Sequence, residues 1–305
     1  MCWSFYAVIF SILAFECLGV TIDVKFRKLV AGVSLGAGML LHPGCGWDAM
    51  AVETGRVGIT QLEGESLKLY TQGLRLEGPG EDLREAQKVF EQVVQVEPDF
   101  VYGWTNLGNV LTSLGNLDQA LLCYNKAISL RPPPDALAAT VLNRAAIEMA
   151  TNKMDRALRD LTAAERIAGK TMTISTNKAV AMSNMGDWEE SAKIFDSVIN
   201  SAEKNALPWW LRYAMSLLET DRAAEAVGYY QRVLKRFPDE TECKAFGAAL
   251  YTYLNAPLEA KRYWATVPEE ERADYLQPNF VQDKLHWGPR AIKAFGHFID
   301  SNKLR

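Results

Sequence analysis

The stretch WTNLGNVLTSLGNLDQALLCYNKAISLRP, residues 104–132, decides the fold. Trp104, Leu107, Gly108 and Leu111 recur at steps of one, three or four residues and share one helical face; Ala120, Tyr124 and Ala127 do the same on a second helix. Between the two, Gly115 and Asn116 supply turn chemistry, and Pro132 stops the second helix. Gly108 and Ala120 carry too little side chain to hold two antiparallel helices apart, while Trp104 and Tyr124 fill the space around that contact. The reading is a tight helical hairpin.

The pattern returns on both sides. Residues 62–98 give one helix over LEGESLKLYTQGLRL and another over DLREAQKVFEQVVQVEP, with Ala86, Phe90, Val93 and Pro98 in the places of the second half. After the central unit at 101–134 come 138–170, with Ala145, Ala157, Leu161 and Ala164, and 172–203, with the turn Gly186-Asp187-Trp188. The unit at 207–240 has Trp210, Ala214, Ala226, Tyr230 and Pro238, and the last, 241–268, has Ala248, Ala260 and Trp264 but a short second helix opening at Pro257. This repetition resembles the tetratricopeptide repeat (TPR), a helical hairpin of 34 residues. The resemblance implies an all-α, right-handed α-solenoid of about five to six repeats with a C-terminal capping helix. It divides the chain into 1–51, a targeting leader or membrane anchor; 52–268, the solenoid; and 269–305, the cap. In the cap, Pro289 suits a first helical turn and Ile292, Phe295, Phe298 and Ile299 form one apolar face. Open solenoids need such a cover, and a partner-docking helix is the alternative.

Residues 1–22 are almost wholly apolar apart from Glu16; Lys25, Arg27 and Lys28 precede a second apolar run at 29–41, and Ala49-Met50-Ala51 follows as a signal-peptidase pattern. Two hydrophobic signals in tandem resemble the bipartite leaders that carry proteins into plastids and on into or across the thylakoid. Secretion, an uncleaved anchor through residues 1–41 and a misassigned start are the other readings.

The whole chain has 33 Lys+Arg against 37 Asp+Glu, a net charge of −4, which argues against nucleic acid held on a broad basic surface. Its five cysteines form no CxxC pair. His286 and His297 lie eleven residues apart without cysteine neighbours, and no GxSxG, GxxxxGK[ST] or HExxH occurs. No catalytic residue, metal site or cofactor is expected.

What the resemblance does imply is a concave groove lined by the first helix of each repeat, at its second, fifth, sixth, ninth and twelfth places. Here the peptide-binding stripe is Tyr102, Thr105, Asn106, Asn109, Asn143, Met149, Thr176, Asn177 and Arg212. Asn109, Asn143 and Asn177 recur at a spacing of 34. A row of amides can hold a peptide backbone without demanding a sequence, or its members can bond one another. Thr105 and Thr173 stand where the family's carboxylate-clamping members carry lysines, so a clamp for a chaperone tail is not expected. Trp209, next to the packing residue Trp210, is the aromatic expected to reach solvent. The function expected is a non-enzymatic protein-interaction scaffold for assembly or maintenance of a membrane complex such as a photosystem. A permanent structural subunit and an anchored secretory-pathway adaptor are the alternatives.

Overall fold

The computed structural model describes residues 61–77, 82–199, 209–277 and 279–304, so the leader read at 1–51 lies outside the described residues. These residues fall into two compact units, the first ending at Ile174 and the second beginning at Ser175.

The first unit contains the pairs α1 (Gly64–Leu76) with α2 (Leu83–Val96), α3 (Val101–Ser113) with α4 (Leu117–Ser129), and α5 (Pro134–Ala150) with α6 (Met154–Ala168). Each helix packs on the next in chain order, and α3 also touches α5, the first helix of the following pair. This is the α-solenoid arrangement. A first helix is enclosed by its own partner, the preceding pair and the next first helix, and α3 is accordingly buried on nearly every side. The second helix α4 buries a single stripe, Ala120, Cys123, Tyr124 and Ala127. A Cβ placed on Gly108 would lie 2.6 Å from the ring of Tyr124, and one on Gly73 2.7 Å from Phe90, so glycine sets the approach within both pairs. At the turn Gly115 adopts φ +79°, in the left-handed region that glycine enters without strain.

Helix α7 (Met172–Asn184) runs across the boundary, and the second unit continues with α8 (Trp188–Ile199), α9 (Trp210–Glu219), α10 (Ala223–Arg236), α11 (Thr241–Tyr253) and the nine-residue α12 (Pro257–Ala265). After it come α13 (Glu269–Tyr275), α14 (Phe280–Asp283) and α15 (Pro289–Ser301). Pro257 and Pro289 each open their helix, where the missing N–H has no helical partner to lose. Helix α15 buries Ala291, Ala294, Phe295, Phe298 and Ile299. It packs on α11 and also on α9, the first helices of their pairs, while Phe295 and Phe298 meet Trp264 of α12 at ring-centroid distances of 5.6 and 5.9 Å. The C-terminal helix therefore covers more than the end of the last repeat. It lies on the helical face where a TPR groove would be.

Candidate peptide-binding grooves

In the first unit the groove face carries a chain of hydrogen bonds. Asn143 Nδ2 donates to Asn109 Oδ1 at 2.8 Å, and the Tyr124 hydroxyl donates to the same oxygen at 2.9 Å. Asn109 Nδ2 reaches Asn106 Oδ1 at 3.4 Å, and Asn106 Nδ2 donates to the Tyr70 hydroxyl at 3.0 Å. The amide at the sixth place of one repeat thus meets the ninth place of the repeat before it, once as Asn106 to Tyr70 and once as Asn143 to Asn109. One step deeper, Thr105 and Thr140 share a hydroxyl contact of 3.2 Å between neighbouring first helices.

This closeness narrows the expected stripe. Tyr102, Thr105, Asn106 and Met149 are buried, and only Asn109 and Asn143 are half-buried and reach solvent. Both lone pairs of the Asn109 carbonyl are used within the row. Among the described residues nothing takes the carbonyl of Asn143, and one N–H of its amide is also left over. Asn143 is therefore held by its neighbour in a fixed orientation with a donor and an acceptor facing outward. Beside it Arg144 forms a two-pronged pair with Asp160, at 2.6 and 2.8 Å, and donates to Asn125 at 2.7 Å.

The second unit differs. Thr176 and Asn177 are buried, and Arg212, expected on the groove surface, is 0% exposed. The reason is the C-terminal segment laid over it. Arg212 Nη1 donates to the backbone carbonyl of Leu285 at 2.7 Å, and its Nη2 lies 3.5 Å from Glu242 Oε1. Glu242 occupies the second groove place of the last repeat, is 2% exposed, and accepts the indole N–H of Trp287 at 3.1 Å. Burial pushes the Glu242 carboxyl above its ordinary value, with the Arg212 charge and the Trp287 hydrogen bond opposing. Further along, the two oxygens of Glu219 accept the backbone N–H groups of Arg290 at 3.0 Å and Ala291 at 2.9 Å, the otherwise unpaired first-turn donors of α15. Burial raises the Glu219 carboxyl as well, and these two N–H bonds pull it back. Arg290 pairs with Asp221 at 3.0 Å.

Trp209 is also not where the sequence suggested. It is 4% exposed and lies flat on Phe195, with centroids 5.3 Å apart and planes 2° from parallel. Glu219, Glu242 and Trp287 were absent from the expected stripe. One signal pointed to Glu242: an arginine inside the apolar run WWLRYAMSLL needs a carboxylate, and Glu242 lies one repeat on. Among the described residues no cluster of His, Cys, Asp or Glu could hold a metal ion, and no helix is long and apolar enough to cross a membrane. Cys123 and Cys243 are buried free thiols, and burial pushes both up.

Helical pairs in sequence order with a hydrogen-bonded first-helix face define a TPR-type interaction module. Models of the tetratricopeptide repeat match residues 101–133 and 210–240, and the chain carries TPR repeats there. A tetratricopeptide repeat protein from Parabacteroides merdae is similar at 18% identity and a TM-score of 0.54, over 78% of this chain and 93% of that one. PilW, a type IV pilus biogenesis factor, is similar at 14% identity and a TM-score of 0.57, over 72% and 98%. MamA from Desulfovibrio magneticus is similar at 18% identity and a TM-score of 0.51, over 59% and 100%. At these identities the likeness is one of fold. No curated protein matches the sequence.

Proposed function

We propose that this chain is a non-enzymatic scaffold that holds an extended segment of another protein along the first-helix face of its first unit, and that it serves the assembly or maintenance of a membrane complex such as a photosystem. TPR repeats imply a protein-interaction scaffold, and the amide row is the observation that carries the finer reading. Asn143 offers a carbonyl and an N–H in a fixed orientation, the pair that a peptide backbone in extended form complements. The setting, at or inside the thylakoid, rests on the tandem apolar runs at 1–22 and 29–41 and on Ala49-Met50-Ala51.

The test is gentle affinity purification from the native cell, with identification of the co-purifying proteins and of the N-terminal residue. A chain beginning at Val52 with substoichiometric thylakoid proteins supports the reading. An intact N-terminus with endomembrane partners overturns the setting, and a partner at fixed one-to-one ratio through every step makes the chain a structural subunit. Asn109→Ala with Asn143→Ala should abolish capture while leaving the helical content unchanged.

A further inference from the structure

The groove of the second unit already holds a segment. Residues 285–299 lie across α9 and α11, and the groove side chains grip this segment largely by its backbone: Arg212 on the Leu285 carbonyl, Glu219 on the N–H groups of Arg290 and Ala291. Side-chain readings are added to that grip. Trp287 stands edge-on to Phe246, with centroids 5.6 Å apart, and donates to Glu242. Gly288 is the one place where any Cβ would collide with the Glu219 carboxylate. Arg290 reaches Asp221, so three carboxylates meet the segment: Glu219 at a helix N-terminus, Asp221 at a guanidinium and Glu242 at an indole N–H.

A joint built only to stay closed gains little from this chemistry, because a buried ion pair can be replaced by apolar side chains without loss. This joint keeps its polar handles although they are incompletely satisfied. Arg212 Nε and Glu242 Oε2 are buried without a hydrogen-bond partner. The segment also contains a non-glycine residue in the left-handed region, His286 at φ 50°, and its tether Gln282-Asp283-Lys284 is exposed throughout.

We infer that the α9–α11 groove is a recognition site for a helix that opens with Trp-Gly-Pro-Arg and carries an aromatic face two turns later, and that residues 285–299 occupy it as a tethered ligand which a partner segment of the same chemistry displaces. This site is separate from the amide row of the first unit, and its test reads α9, α11 and Trp264 of α12, which Phe295 and Phe298 meet.

The full chain is prepared with a protease recognition sequence inserted after Asp283 and is cut after folding, which leaves the C-terminal segment in place without its tether. A fluorescent synthetic peptide of residues 284–305 is then added. Labelled peptide should enter one per chain, and unlabelled peptide should compete it out. The uncut chain should take up roughly tenfold less label or lower still, since its own segment is present at millimolar effective concentration. Peptides with Trp287→Ala or Arg290→Ala should compete poorly. Retention of the cut segment against prolonged excess of label, or loss of helical circular dichroism as it leaves, would make the segment ordinary core and overturn the inference. Exchange by the uncut chain only as dimers would make the occupant a second copy and would overturn displacement by a partner.

Discussion

The two units build the same helical pairs and use the exposed side of their first helices in opposite ways. In the first, the groove positions bond one another and leave the Asn143 amide oriented toward solvent. In the second, the groove positions of the last two repeats include Arg212, Glu242 and Phe246, charged or aromatic, and the chain's own Trp287 and α15 lie on them. What distinguishes the two faces is the solvation of the groove side chains. Neutral amides can stand half in water with their hydrogen bonds shared among themselves. A fully buried Arg–Glu pair can exist only while something covers it.

The largest effect should come from breaking that pair. Glu242→Ala leaves Arg212 buried without its counter-charge and should destabilise the chain by about 3–5 kcal/mol, while Arg212→Met combined with Glu242→Leu should recover most of the loss. Urea unfolding followed by tryptophan fluorescence reads both. A cost for Glu242→Ala below about 1 kcal/mol, the ordinary scale of an exposed ion pair, would mean that the pair is solvated and the contrast between the units is false.

A smaller effect tests what the units share. Gly108→Val places carbon where the Tyr124 ring already lies, and overpacking of this kind costs about 1–3 kcal/mol. The same glycine logic holds in the second unit, where a Cβ on Gly247 would collide with the Tyr230 hydroxyl. An unchanged melting temperature for Gly108→Val would undercut the helical pairing in the unit where the sequence shows it most clearly.

The pairing was legible because it rests on local spacing. Trp104, Gly108, Ala120 and Tyr124 fix a hairpin whichever residues lie on its outer face, and the turn read at Gly115-Asn116 and the helix start read at Pro257 are where helices end or begin. The groove was legible only as positions. Whether Tyr102, Thr105 or Met149 reaches solvent depends on how closely the next first helix approaches, which no spacing within one helix states. Arg212 shows the same limit over a longer range. Its partner at 242 and its cover at 285–287 lie 30 and more than 70 residues away, and the apolar face of α15 announced that the helix packs without saying on what.

Removal of the amide row should be milder for stability than either change above. Asn109→Ala deprives Tyr124 of an acceptor at 2.9 Å, yet Thr112 Oγ1 lies 3.3 Å from the same hydroxyl and can take it, so a loss of about 1 kcal/mol is expected. Adding Asn143→Ala should change little more, because the bond between the two residues is already gone. Capture of a partner segment by the first unit should nevertheless fail. Destabilisation well beyond this scale would show that the row is a structural bond network first, and the proposed role of Asn143 would then need another surface.

The smallest effect is a change of slope. The Glu242 carboxyl is raised in the folded chain, by burial above all, over its ordinary value of 4.5. The folded state therefore binds more protons than the unfolded state in the window that opens near 4.5 and ends at the folded value. The stability this group contributes is complete below 4.5 and declines as pH rises through that window. Glu242→Gln keeps the acceptor for Trp287 and removes the titration. The unfolding free energy of the variant should fall less steeply from pH 5 upward than that of the parent chain. Equal slopes in the two chains would mean that Glu242 titrates alike folded and unfolded, which a carboxylate sealed beneath Trp287 cannot do. Parallel slopes would thus place solvent in the second groove and make its difference from the first one of residue type alone.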